Sequence, residues 1–584
     1  MTNRSPYGRH AVSQTAAMLI LCLLCSAALP AVAQEPARPV AKEPAQEQSL
    51  PLSPIEQAEK KGTALPLSLK DLTKLALQNN LDIAISDTNE EMYRQKVTGS
   101  YGKYDPGLNV AFGVNSSQSP NTRVETAAAG SNFNQLDRFY WNFSFLQNIP
   151  TGGAFQVDWN SGRLNTNQAF ALFNPQYNAS LTARLTQPLF RNRKTDLIRS
   201  NIKLVNLDLK INDSQFKQKV TDTVAQIQGL YWDLVAAIRD YEIKRESVKL
   251  AQIQLDNNKK KVEIGTLAPI GITEARAEVA SREQEMIASE ERIFTVQNGL
   301  RALISNDRHA DIWHQTIVPT ESPEFKETKV QLDQAIDTAL QNRPELEQLA
   351  SRLEKNEVSY KLDLDQKKWL FDLVGSFGTV GVAGPQSLAC TVRAPGGTLP
   401  VPPNCVPPDP PAGRATIDPI FIGGPTNAYG LLFNGGFTNW AVGFNVQIPL
   451  KNREVESLLA QSKIEKQQML MNRKGIEQKV IVDVRNAIQA IETNEKRVET
   501  AKVARDFAEQ QLDGETKRFQ AGLSENFRVL DRQRQLSVAQ GVELQTLIAY
   551  KKSVIDLQKA MYTLLEFNDF EIAKTSSEQV PIVK

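Results

Sequence analysis

Apolar residues recur along residues 196–262 at Val220, Val224, Ile227, Tyr231, Leu234, Ile238 and Tyr241, in steps of four and three. The mean step is about 3.5, the period of a coiled coil rather than the ~3.6 of an isolated surface helix. Val248, Ala251, Leu255 and Val262 continue the stripe, no proline interrupts it, and Gly229 is its one glycine. At ~1.5 Å per residue such a helix is roughly 100 Å long. A second stripe runs through residues 454–519 on Val480, Val484, Ala487, Ile491, Val498 and Ala501, with Lys, Glu, Gln and Arg on the other faces. Each long helix ends at a glycine, in KVEIGTLAPIGITEAR (261–276) and RFQAGLSENFRVLDR (518–532). Gly265 and Gly522 suit a reversal that requires a left-handed residue. Return helices are expected over Glu274–Ile304 and Ser524–Glu566.

Other segments alternate with period two, as strands do. LNVAFGVNSS, FYWNFSFLQNIP, AFQVDWNSG and NASLTARLTQPL follow one another in the first half. Phe139, Trp141, Phe143 and Phe145 share one face, and Leu181, Ala183 and Leu185 another. LFDLVGSFGTVGV and NWAVGFNVQIPL alternate in the second half. Alternation alone fits either a water-soluble sheet with one buried face or a membrane barrel. The strands lead out through TQPLF (186–190) and QIPLK (447–451), and the helical openings ALQNN and ALQNR repeat as well. Each half therefore reads helix, strands, long helix, tight turn, return helix: one repeat over 66–320, a second over 321–568, and a tail over 569–584.

The N-terminus orders Arg4 and Arg9, an apolar run over 16–29, and small residues at Ala31 and Ala33. That is the pattern of a cleaved secretory signal, residues 1–33, too short to serve as a membrane anchor. Residues 34–65, rich in Pro, Ala, Glu and Gln, read as a solvated linker. Cleavage would remove Cys22 and Cys25, leaving Cys390 and Cys405, a disulfide pair expected in an oxidising compartment. Both lie in the proline-dense stretch 384–436, which reads as a surface loop. No other run is long and apolar enough for a transmembrane helix, which leaves a barrel open.

The 584 residues are 41% hydrophobic and 23% charged with a net charge of +1, which does not suit a nucleic-acid binder. Three histidines, His10, His309 and His314, are thin stock for acid–base or zinc chemistry. No phosphate loop, hydrolase elbow or Cys-x-x-Cys occurs, so no enzyme, cofactor or metal site is expected.

The duplicated ALQNN/ALQNR helix, the paired TQPLF/QIPLK exits and the two hairpin tips, in that order, resemble the TolC-type outer-membrane efflux proteins of Gram-negative bacteria. The resemblance covers residues 67–567. It implies a mostly α fold with a transmembrane β-barrel portion: a homotrimer with a shared twelve-stranded barrel in outer-membrane lipid, four strands per protomer, above a coiled-coil periplasmic tunnel. The first half departs from this pattern, with four strand-like segments where the family has two. The resemblance also implies an exit duct working with a periplasmic adaptor and an inner-membrane pump. Adaptor contact would fall on the tips, at Gly265, Thr266 and Leu267 and at Gly522, Leu523 and Ser524. The gate would fall at Asp531, a ring of three carboxylates in a trimer, with Arg528 where the family has a second aspartate and Gly271 where some members carry a gating one. Arg528 could instead pair with Asp531 or Glu525. Two other functions stay open: the outer component of a type I protein secretion system, and a secreted coiled-coil structural protein without a pore.

Overall fold

The computed structural model describes residues 52–120, 132–168, 171–386, 417–568 and 570, and the backbone of 390–394 and 397–401. The expected signal segment, Cys405 and almost all of the tail lie outside the described residues. In chain order the first half holds α1 (Pro54–Lys61), β1 (Ala64–Leu67), α2 (Leu69–Asn79), α3 (Leu81–Tyr101), β2 (Gly107–Pro120), β3 (Phe133–Asn148), β4 (Ala154–Thr166), β5 (Gln176–Pro188), α4 (Leu197–Glu263) and α5 (Ile270–Ile304). The second half holds β6 (Thr316–Pro319), α6 (Leu332–Asn342), α7 (Pro344–Gln366), β7 (Leu370–Ala383), β8 (Cys390–Ala394), β9 (Gly397–Val401), α8 (Pro425–Phe433), β10 (Thr438–Gln447), α9 (Arg453–Gln520), α10 (Asn526–Met561) and α11 (Leu564–Phe567).

The two long helices have 67 and 68 residues. Their apolar stripes are the core: Val224, Ile227, Tyr231 and Leu234 on α4, and Val480, Val484 and Ile491 on α9, are buried. α4 and α9 run the whole length, and shorter helices pack beside them in two tiers. Near the strands the order across the layer is α3, α4, α7, α9; beyond, it is α5, α4, α10, α9. The opening helix of each repeat is two helices rather than one. α2 gives way to α3 at Asn80 (φ −68°, ψ 122°) and α6 to α7 at Arg343 (φ −64°, ψ 121°), so the break is duplicated with the sequence. Asn80 caps the new helix by accepting from the Ile83 N–H at 3.1 Å, and Pro344 disfavours helical backbone at Arg343.

Two expectations need correction. Residues 54–65 are not solvated linker. Ser53 and Glu56 form a capping box that starts α1, and β1 pairs in parallel with β6. Arg245 of α4 holds Glu56 at 3.0 Å. The Ser53 backbone N–H and that guanidinium keep the Glu56 carboxyl below its usual range. Nor is 384–436 all loop. Pro425, tolerated at a first helical turn, opens α8, whose Ala428, Leu431 and Leu432 are buried. Ala428 and Leu432 pack with Ala179 and Ala383 of the sheet.

The sheet has six strands in the order β10-β7-β5-β4-β3-β2, every pair antiparallel. The four alternating segments of the first half are all strands. Among the described residues the chain therefore contributes six strands to this sheet, not the four that the resemblance implies. The register brings Leu108, Val110, Phe112 and Val114 opposite Phe145, Phe143, Trp141 and Phe139. The same face continues through Val157 and Trp159, Leu181 and Ala183, and Phe377, to Trp440 and Val442. The reverse face carries Asn142, Ser144, Asp158, Asn160, Ser180 and Thr182. From residue 108 to 114 the apolar band runs about 20 Å along the strand at ~3.4 Å per residue, about 15 Å of height at the tilt of barrel strands. Among the described residues no helix is long and apolar enough to cross a membrane.

Away from the part that α8 covers, Phe112 is exposed on the apolar face, so a charge there meets lipid. Phe112→Arg should cost about 2–4 kcal/mol of folding into bilayers, and Asn109→Arg on the reverse face under about 1 kcal/mol, by urea titration in liposomes.

Candidate gate at the hairpin tips

Both long helices end in the same hydrogen-bonded stop. After α4, the Gly265 N–H donates to the Val262 carbonyl (3.0 Å) and the Thr266 N–H to the Lys261 carbonyl (2.9 Å). After α9, the Gly522 N–H donates to the Phe519 carbonyl (3.2 Å) and the Leu523 N–H to the Arg518 carbonyl (2.9 Å). These are paired Schellman motifs, each turning on a left-handed glycine, Gly265 at φ +76° and Gly522 at φ +75°. Thr266 Oγ1 adds a bond to the Lys261 carbonyl at 3.0 Å, and Ser524 donates to Glu515. Leu267 donates its N–H to the Lys261 carbonyl (3.2 Å), and its side chain lies against Gly271. Lys261 Nζ sits 3.6 Å over the Phe519 ring and so links the two tips.

Behind the tips lies a buried polar cluster that the stripe analysis did not single out. Arg282 of α5 has a side chain 4% exposed. Its Nη2 donates to the Leu530 carbonyl of α10 at 3.0 Å, its Nη1 to the Ser247 carbonyl of α4 at 3.1 Å, and its Nε to Glu278 at 2.9 Å. One guanidinium thus ties three helices together. Nearby, Gln254 Nε2 donates to Asn526 Oδ1 (2.8 Å) and Asn258 Nδ2 to the Gly271 carbonyl (3.1 Å). The signal was present: Asn258 stands seven residues after Ala251, and Arg282 seven after Ala275, where an apolar stripe would place a hydrophobe.

Asp531 lies in the second turn of α10, half-buried. It accepts from Arg534 Nη2 at 3.0 Å and Gln535 Nε2 at 2.7 Å. Arg528 is exposed, and its backbone N–H donates to the Glu525 carbonyl. The expected alternative, an Arg528–Asp531 pair, is replaced by the Arg534–Asp531 pair. The Asp531 carboxylate therefore carries its own cation. Cys390 begins β8, and the disulfide expected with Cys405 lies outside the described residues.

A separate recess of about 410 Å³ lies among α4, α9 and α10, lined by charges of both signs, including Arg343, Asp483 and Lys559. Arg343 already bonds Asp483 and Glu345 there, so it reads as packing. Among the described residues no cluster of His, Cys, Asp or Glu is placed to hold a metal.

An antiparallel sheet with one apolar face, continued into paired helices some 100 Å long, defines an outer-membrane channel rather than an enzyme. The family model described as outer membrane efflux protein matches residues 72–306 and 423–561, and the chain belongs to that family. It is an outer-membrane exit duct of an efflux system. The CmeC outer membrane channel of Campylobacter jejuni is 14% identical with a TM-score of 0.58, covering 86% of each chain. VceC of Vibrio cholerae is 15% identical with a TM-score of 0.56, over 86% of this chain and 96% of its own. The open-state MtrE channel of Neisseria gonorrhoeae is 16% identical with a TM-score of 0.53, over 85% of this chain and 89% of its own. At such identities the likeness establishes the fold. No curated protein matches in sequence.

Arg282→Met leaves the Leu530 carbonyl and Ser247 without their donor, a loss of about 1–3 kcal/mol. Amide exchange over residues 526–533 should quicken by roughly 10- to 100-fold, with Arg282→Lys in between. Gly522→Ala forces a Cβ into the left-handed region at about 1–2 kcal/mol, and should fray the last turn of α9 in the same measurement.

Proposed function

We propose that three copies of this chain form one duct, with their sheets closing a barrel in outer-membrane lipid and their helices a periplasmic tunnel. The duct passively conducts small molecules handed over by a periplasmic adaptor and an inner-membrane pump. Residues 1–33 act as the cleaved export signal. The observation that carries the trimer is the agreement between the flanks of the two layers. β2 and α3 stand at one flank, β10 and α9 at the other. The outer staves leave apolar side chains exposed at coiled-coil spacing: Ile464 and Met471 on α9, Leu81, Ile85 and Met92 on α3, and Ile287 and Phe294 on α5. Staves of this kind pack sideways against another copy.

Adaptor docking falls on the tips, around Gly265, Thr266, Leu267, Gly522, Leu523 and Ser524. Ile264 (73% exposed), Leu523 (80%) and Phe527 (65%) offer apolar contact there. Asp531 rings the constriction, and Arg534 moderates its field. Arg528 stands at the same end of α10.

The native mass of the detergent-extracted protein should be that of a trimer; a monomer or dimer stable across detergents would sink the shared barrel. Leu523→Asp should lower adaptor affinity about tenfold while leaving the mass unchanged. Asp531→Asn should reduce cation preference in single-channel recordings; an unchanged preference would remove the carboxylate ring.

A further inference from the structure

The inserted β3–β4 hairpin is part of the sheet wall. β3 pairs with β2 from Phe133 to Leu146 and with β4 from Leu136 to Asn148, and β4 pairs with β5 from Ala154 to Leu164. The polar face runs on across it through Ser144 Oγ to Asp158 (2.5 Å) and Gln156 Nε2 to Asp158 (2.9 Å). The apolar face runs on through Phe112, Phe143 and Trp159, whose neighbouring ring centroids lie 6.2 and 5.7 Å apart. The hairpin's turn is fastened to the neck of the molecule. Thr151 Oγ1 donates to Gln187 Oε1 at 2.8 Å, and Gly152 (φ +88°) lies so close to the Asn192 carbonyl that no Cβ fits between them.

The two edges of this sheet are unguarded. Exposed edges in soluble proteins are usually blunted with charge. β3, β4, β5 and β7 carry Asp137, Arg163, Arg184 and Asp372, but β2 and β10 carry no charged residue. The edges also match. β2 runs away from the helices and β10 runs toward them, so β10 of one copy meets β2 of the next in antiparallel sense. On both strands the exposed apolar positions are even-numbered, 108 to 114 and 440 to 446. An even register offset keeps them on one face.

The geometry points to an eighteen-stranded barrel: three sheets of six strands, with β10 of each protomer paired to β2 of a second copy of this chain. The ten residues of β10 fit the first ten of β2, which sets Gln447 level with Gly107 and Val442 opposite Phe112. Barrel diameter grows roughly linearly with strand number, so this barrel is about 1.5 times as wide as one of twelve strands. Its lumen is lined by the polar face, on which Asn109, Asn142, Asn160, Asn178 and Asn445 stand beside Asp158 and Arg184. A wall of that width leaves an open aqueous channel, as ~16–18 strands do in porins, and bulky polar solutes pass it freely. Selection then falls to the hairpin tips.

The inference rests on the trimer proposed above, and the experiment separates the two. Electron cryomicroscopy of the unaltered protein in lipid nanodiscs counts the strands. Disulfide trapping combines Val442→Cys in turn with Leu108→Cys, Val110→Cys, Phe112→Cys and Val114→Cys. Eighteen strands are expected, with covalent trimers forming fastest at Phe112→Cys. A trimer with twelve strands, in which β2 lies beside β5 and Val110→Cys links to Leu181→Cys within one chain, overturns the inference and leaves the trimer standing. A monomer or dimer overturns both.

Discussion

A sheet placed in hydrocarbon must satisfy every backbone N–H and C=O within protein, because lipid offers no partner. This constraint governs the molecule. One face of the sheet is apolar on all six strands and the other polar, which is the division a barrel wall requires. An open sheet of this kind cannot end at β2 and β10 inside a membrane. The strands feed the helices directly: β5 leads into α4 and β10 into α9, while α3 leads into β2 and α7 into β7. Closure of the sheet therefore fixes where each stave of the helical layer stands.

At the far end the problem is inverted. The helices pack along long apolar stripes, and an all-apolar interior would hold them in many registers. Buried polar side chains are costly unless satisfied, so they select one arrangement. Arg282, Gln254, Asn258 and Asn526 do this at the tips. The cluster is not fully satisfied: the Asn526 Nδ2 has no hydrogen-bond partner. An unmet donor at the start of α10 costs stability at that turn.

The duplication is deep where geometry is shared and shallow where it is not. Both halves break their opening helix with nearly equal dihedrals and end their long helix with the same paired bonds. They differ in what joins the strands. The first half inserts β3 and β4, and the second inserts the proline-dense segment with α8. Strand connections can lengthen, whereas the caps and stripes are packed among the helices of each repeat and cannot.

How much of this was legible follows from what is local. The 3.5-residue stripes, the glycine stops and the period-two strands are properties of short windows, and Val224, Leu234, Val484, Gly265 and Gly522 are legible in them. The break at Asn80 and the capping box at Ser53 are local signals too, although the Pro- and Ala-rich composition of 34–65 masks the second. The sequence singles out Asp531 beside the second tip, but not the Arg534 that pairs with it. Nor could it show that Arg282 reaches Leu530, 248 positions away, since side-chain meeting depends on which helices become neighbours. The edge positions of β2 and β10 were equally hidden: strand order is settled by pairing across the whole sheet, and no local pattern encodes it. The sequence by itself determined the elements, their faces and their doubling. The tertiary structure alone decided which strands are left without a neighbour, because an edge is a property of the assembled sheet.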